Sequence, residues 1–210
     1  MGPKAFSLSR RRLSRRAVLA GTASAAMLLA ALPAQALTDG EARALVEKTL
    51  DELLSVLKSP GSPEARAPQL QQVMESRANM PLIAKFSAGR IWREMNNDQQ
   101  GRYSTAFSKF VSVTYSRRFD EFKGDPKVRI GKVLDAGRKG MLVETPLAGP
   151  QGETISVEWL VSDRGGRVEI IDLVVEGISM ATTQREEIAA MFEKRGNDVE
   201  ALISDLNSPT

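Results

Sequence analysis

The spacing of apolar residues changes twice along this chain, and those two changes restrict its fold more than any single motif. Up to Phe122 apolar residues recur every three or four positions. From Lys127 to Val175 they recur every second position, and after Gly177 the longer spacing returns. A period near 3.6 belongs to amphipathic helices and a period of 2 to half-buried strands. Helices, a block of strands, then helices again define an α+β domain.

The helical part opens with Thr38-Asp39-Gly40-Glu41, a capping box, followed by Ala42, Val46, Leu50, Leu53 and Leu57. Ser59-Pro60-Gly61-Ser62-Pro63 ends that helix. A weaker helix is expected over Pro68–Ser76 and a short one over Met80–Ala88, with Gly89 as a break. Asn97-Asp98-Gln99-Gln100 caps the longest helix, Asp98 to Phe122, whose apolar face carries Tyr103, Phe107, Phe110, Val111, Tyr115, Phe119 and Phe122. Taken alone, that stripe is what an ordinary core-facing helix shows.

Four alternating runs follow: Val128/Ile130, Met141/Val143/Thr145/Leu147, Ile155/Val157/Trp159/Val161 and Val168/Ile170/Asp172/Val174. Gly-rich turns at 137–140, 149–152 and 163–166 separate them. Such short links force antiparallel neighbours, because parallel strands need a long crossover. The expectation is a four-stranded antiparallel meander wrapped by helices, with the last strand paired on both edges. Thr183-Gln184-Arg185-Glu186 reads as a second capping box, Gly196 as a stop, and Asn197 or Asp198 as the start of a final helix with Val199, Leu202, Ile203 and Leu206.

Residues 1–36 are expected to be a leader. They hold six basic residues and no acid, with Ser14-Arg15-Arg16-Ala17-Val18-Leu19, an Ala-rich apolar stretch of 16 residues, and Ala34-Gln35-Ala36 as a small-x-small cleavage site. The Arg pair resembles the twin-arginine export signal, and 16 mostly alanine residues are short for a span that needs about 20. Six of the 29 basic residues lie in this segment. The remainder, 37–210, therefore has 23 bases against 26 acids, a net charge of about −3, where the whole chain has +3. That balance argues against nucleic acid as a partner.

Cysteine and histidine are both absent, which removes thiol nucleophiles, Ser-His-Asp triads and most zinc sites. No phosphate-binding loop or metal-ligand spacing is present. No cofactor, no metal and no enzymatic activity are expected. Asp172, inside an apolar strand, is the exception: either a general base or an acid hydrogen-bonded to a neighbouring loop or arginine. Arg185, near a helix start, points to a tertiary partner such as Asp172 or Glu176. Periodicity does not separate a filled core from a pocket. If there is a pocket, the inward positions nominate Phe107, Phe110, Val111, Tyr115, Val143, Val157, Trp159, Ile170, Val174 and Met191 as its lining.

Two segments carry a resemblance. Phe86-Ser87-Ala88-Gly89-Arg90-Ile91-Trp92-Arg93, followed by Asn97-Asp98-Gln99-Gln100 and Phe107 to Tyr115, is similar to the central segment of the MlaC-type periplasmic lipid-binding (toluene-tolerance) proteins. Ile171-Asp172-Leu173-Val174-Val175-Glu176-Gly177-Ile178-Ser179-Met180, with Gln184-Arg185 downstream, resembles that family's Asp-x-x-x-Glu-Gly-x-Ser segment. Where the family often has Trp-Lys-Val-x-Asp, this chain has Arg167-Val168-Glu169-Ile170-Ile171-Asp172; Val157-Glu158-Trp159 is closer to its hopanoid-associated branch. The resemblance implies a nuclear-transport-factor-like α+β cone with an apolar cavity. It also implies a monomeric periplasmic shuttle that carries phospholipid between an outer-membrane lipoprotein partner and an inner-membrane ABC-transporter complex. A hopanoid or other terpenoid lipid is the alternative cargo. No cluster of basic residues in the sequence marks a headgroup site.

Overall fold

The computed structural model describes residues 37–121, 128–148 and 153–209. The expected leader, the Phe122 end of the long helix and the turn at 149–152 lie outside the described residues. Helix α1 spans Asp39–Lys58, with Thr38 and Glu41 closing the capping box reciprocally. Helix α2 spans Pro63–Arg77, five residues earlier in its start than the periodicity suggests. Ser62 caps it and Pro63 occupies the first turn, where a missing N–H costs nothing. Helix α3 is Met80–Ala88, as expected. Gly89 then turns the chain at φ +56°, and a 3-10 turn covers Ile91–Arg93. Helix α4 spans Asn97–Glu121. Its cap is Asn96, one residue before the expected group: Asn96 Oδ1 accepts from the Gln99 N–H, and Gln99 Oε1 from the Asn96 N–H.

The strands are β1 (Val133–Asp135), β2 (Met141–Glu144), β3 (Leu147–Ala148), β4 (Thr154–Ile155), β5 (Val157–Ser162), β6 (Glu169–Val175) and β7 (Ile178–Ser179). The expected meander is present as β1-β2-β5-β6, each strand antiparallel to the next, and β7 extends it to five. Two expected strands are interrupted. Pro146 offers no N–H to a ladder, so the run from Met141 breaks there. Leu147–Ala148 and Thr154–Ile155 leave as a separate two-stranded sheet. Val128 makes only an isolated bridge to Leu147, and regular pairing at this edge starts at Val133. As expected, β6 is paired on both sides: with β5 along its length, and on the other edge with β7 and with Asn79, whose N–H donates to the Ile170 carbonyl.

After β7, helix α5 spans Met180–Lys194 and α6 spans Val199–Asn207. The start of α5 is Ser179, whose hydroxyl accepts from the Thr182 N–H, so the Thr183 box is overtaken by an earlier cap.

Two clusters of buried side chains hold these elements together. One joins α3, α4, α5 and α6 through Met80, Ala84, Tyr103, Phe107, Phe110, Ile188, Phe192, Leu202 and Leu206. The other joins α1 to the sheet through Ala42, Val46, Val143, Trp159, Val161 and Ile170. Surface ion pairs tie the helices to one another: Arg77–Glu52 links α2 to α1, Arg117–Glu64 links α4 to α2, Arg102–Glu200 links α4 to α6, and Arg195–Asp205 links α5 to α6. Among the described residues no helix is long and apolar enough to cross a membrane.

Candidate functional site

Between the two clusters the chain leaves space. A cavity of about 700 Å³ is walled by Leu50, Leu53, Leu54 and Leu57 of α1, Tyr115 and Phe119 of α4, Leu147 and Ile155 of the small sheet, and Val157, Trp159, Leu173 and Val175 of the large one. A narrower chamber of about 120 Å³ runs inward between Leu70, Val73 and Met74 of α2, Phe107 and Val111 of α4, Ile170 of β6 and Met180 of α5. The two adjoin across shared side chains, among them Leu53, Tyr115, Trp159 and Leu173. The exposed residues Lys58, Arg118, Glu176 and Ile178 mark where the wider cavity meets solvent.

The apolar character of the walls is built in locally. The indole N–H of Trp159 donates to the Thr145 hydroxyl at 2.8 Å, so the ring lines both spaces with its one polar atom already satisfied. The hydroxyl of Tyr115 is shifted upward in pKa, mainly by burial, and stays protonated. Of the two charged side chains that line the narrow chamber, Arg77 is neutralised by a bidentate pair with Glu52 at 2.8 and 2.5 Å. Among the described residues no group of acids could hold a metal ion.

Asp172 also borders the narrow chamber, and its carboxylate is fully engaged. It accepts from the Leu173 N–H at 2.8 Å, the Ala181 N–H at 3.0 Å and the Ser179 hydroxyl at 2.6 Å. Beyond the Leu173 N–H of its own strand, its partners lie at the start of α5, and none among the described residues is an arginine. Between Val175 and Ile178 the two-residue loop Glu176-Gly177 has φ of +50° and +75°, the left-handed pair that closes a tight hairpin. The Glu176 carboxylate accepts from the Ser156 N–H and steadies that turn. The Asp172-to-Ser179 segment is therefore a hairpin stapled to a helix cap.

Arg185 pairs with neither Asp172 nor Glu176. Its guanidinium lies 5.4 Å from the centre of the Phe86 ring and against Gly89, where a Cβ would approach Arg185 Nε to 3.0 Å. The spacing Phe86-x-x-Gly89 and the distant Arg185 thus form one contact between α3 and α5.

Six of the ten nominated positions border these spaces: Phe107, Val111, Tyr115, Val157, Trp159 and Ile170. Phe110 and Met191 pack in the helical cluster and Val143 in the α1–sheet cluster. Val174 borders neither space because β6 carries a bulge. Leu160 faces Asp172 while Val161 faces Ile170, so Ile171 is an extra residue and the in–out phase reverses across it. Beyond the bulge Leu173 and Val175 face the cavity, and Val174 faces away. Sequence reading missed the α1 leucines as lining. Their signal was a stripe wider than the buried face of α1, which is Ala42, Val46, Thr49 and Val56.

A sequence profile described as MlaC protein matches residues 47–208. The toluene tolerance protein ttg2D of Pseudomonas putida is 23% identical over 189 residues, covering 84% of this chain and 85% of that protein. The solved structure of a phospholipid-binding protein from Ralstonia solanacearum, in complex with a phospholipid, shares the fold with a TM-score of 0.63 at 19% identity, over 79% of this chain and 94% of that one. The chain belongs to the MlaC protein family.

Proposed function

We propose that the domain 37–210 is a periplasmic lipid carrier, exported by the twin-arginine route with cleavage of residues 1–36. In this reading it takes phospholipid acyl chains into the paired cavities and shuttles them between an outer-membrane lipoprotein partner and an inner-membrane ABC-transporter complex, maintaining outer-membrane lipid asymmetry. The observation that carries this reading is the hollow between two separately packed clusters, about 700 Å³ with a further 120 Å³ beyond it. A methylene occupies about the volume of one water molecule, ~30 Å³, so the wider part alone takes on the order of twenty methylenes. Each buried methylene contributes about 0.8 kcal/mol, which suits hydrocarbon chains and needs no catalytic group. The Ralstonia solanacearum protein of the same fold, described as phospholipid-binding and solved with a phospholipid, supports phospholipid over a terpenoid cargo. An enzyme based on Asp172 is disfavoured, because three hydrogen bonds already occupy its carboxylate oxygens and hold it in place.

Organic extraction of natively purified protein, followed by mass spectrometry, tests the proposal. The expected result is diacyl phospholipid at close to one molecule per chain. Extraction yielding no lipid, from protein that unfolds cooperatively, refutes it.

A further inference from the structure

Among the described residues, six side chains carrying a nitrogen or oxygen atom line the narrow chamber: Thr49, Arg77, Tyr115, Trp159, Asp172 and Gln184. Four of them are fully engaged. The Thr49 hydroxyl donates to the Leu45 carbonyl at 2.7 Å and the Trp159 indole to Thr145, while Arg77 pairs with Glu52 and Asp172 accepts three hydrogen bonds. Tyr115 and Gln184 differ. Gln184 is only 2% exposed, and its Nε2 donates to the Glu187 carboxylate at 3.2 Å. Burial raises the pKa of the Tyr115 hydroxyl, and the Gln184 amide is one of the groups that oppose the rise, so the two side chains are neighbours. No hydrogen bond closes between them: the Tyr115 hydroxyl and Gln184 Oε1 are both buried without a partner. A buried donor or acceptor left unpaired is costly, and here two such groups, one with a proton to give and one with a lone pair to offer, border one otherwise apolar space.

We infer that Tyr115 and Gln184 form a hydroxyl-recognition spot within the narrow chamber, which selects lipids hydroxylated in the outer half of an acyl chain. A hydroxyl is at once donor and acceptor, so a single one accepts from the Tyr115 O–H and donates to Gln184 Oε1. A methylene in the same place leaves both unpaired. The chamber of about 120 Å³ takes about four groups of ~30 Å³ each, and Tyr115 borders both spaces. A chain that enters from the wider cavity therefore brings to this spot a carbon several positions short of its end. The inference rests on the carrier reading. It adds that the hollow discriminates among chains of equal length by a polar group along them.

Vesicles with equal parts of three phosphatidylcholines, incubated with delipidated protein, provide the test. All three share a palmitoyl chain; the second chain is oleoyl, ricinoleoyl (oleoyl with a hydroxyl two-thirds of the way along), or the isomer with its hydroxyl beside the ester. Lipid on the re-isolated protein is counted by mass spectrometry. Wild-type protein is expected to load the ricinoleoyl lipid roughly tenfold over the oleoyl one, the ratio that pairing two buried groups supplies, and to give the isomer no such advantage. Tyr115→Phe, which removes only the hydroxyl, and Gln184→Met, an apolar side chain of similar length, should each bring the ratio toward unity in protein that still melts cooperatively. Equal loading of oleoyl and ricinoleoyl lipids by wild type overturns the spot and leaves trapped water as the partner of the two groups. An isomer loaded as well as the ricinoleoyl lipid, or a preference that survives both substitutions, overturns it too, and in all these cases the carrier stands. Loading of none of the three overturns the carrier itself.

Discussion

Replacing Leu173 by tryptophan probes the hollow at the point where its two parts meet. Leu173 lies opposite Trp159 in the sheet register, is half-buried, and borders both the wider cavity and the narrow chamber. Trp exceeds Leu by about 60 Å³, which displaces about two methylenes at ~30 Å³ each. At about 0.8 kcal/mol per methylene the loss of binding is ~1.6 kcal/mol, roughly fifteenfold in affinity. The added ring has open space to enter, so the fold is expected to keep its stability within about 1 kcal/mol, unlike overpacking of a filled core. Two measurements follow: competition with a fluorescent lipid for affinity, and the chain-length distribution of co-purified lipid. The variant should bind more weakly and shift that distribution shorter by about two carbons, the methylenes displaced. Affinity and chain length both unchanged, in a variant that melts like wild type, would refute the placement of acyl chains beside Leu173.

Two further outcomes are expected. Asp172→Ala should lower stability by about 1–2 kcal/mol by removing the acceptor of the Ser179 hydroxyl and the Ala181 N–H; in denaturant titrations of the double variant with Ser179→Ala, the two effects should fall short of adding, because the residues share one staple. In acid, the Arg102 pair holds the Glu200 carboxyl at about 2, below its ordinary 4.5. Its contribution is thus complete above about pH 4.5 and is lost as pH falls through about 2, so Glu200→Gln should flatten the acid limb of thermal midpoint against pH within that window and leave neutral pH nearly unchanged.

The helical elements were legible because local chemistry decides them. The Thr38 capping box, the Met80–Ala88 segment and the Gly196 stop each rest on neighbouring residues alone. The strand block was legible in its pairing order for the same reason, since short turns leave little choice of neighbour. What stayed hidden depends on contacts between distant residues. The bulge at Ile171 leaves no local mark, yet it moves Val174 off the cavity face and puts Leu173 and Val175 on it. The buried positions Phe110, Val143 and Met191 have the same periodicity as lining positions, because a helix stripe or strand face shows only which side is apolar and not whether a neighbour fills the space opposite.

The two tryptophans of the chain stand in different surroundings. Trp92 meets Tyr103 edge-on, with ring centres 6.2 Å apart, in the helical cluster, whereas Trp159 forms part of the wall of the hollow. Indole emission moves to longer wavelength when water can relax around the excited ring, so Trp159 acts as an internal optical gauge of what touches it and Trp92 as a steady reference. A Trp92→Phe protein would report the exchange of water for hydrocarbon, and its rate, with no label attached.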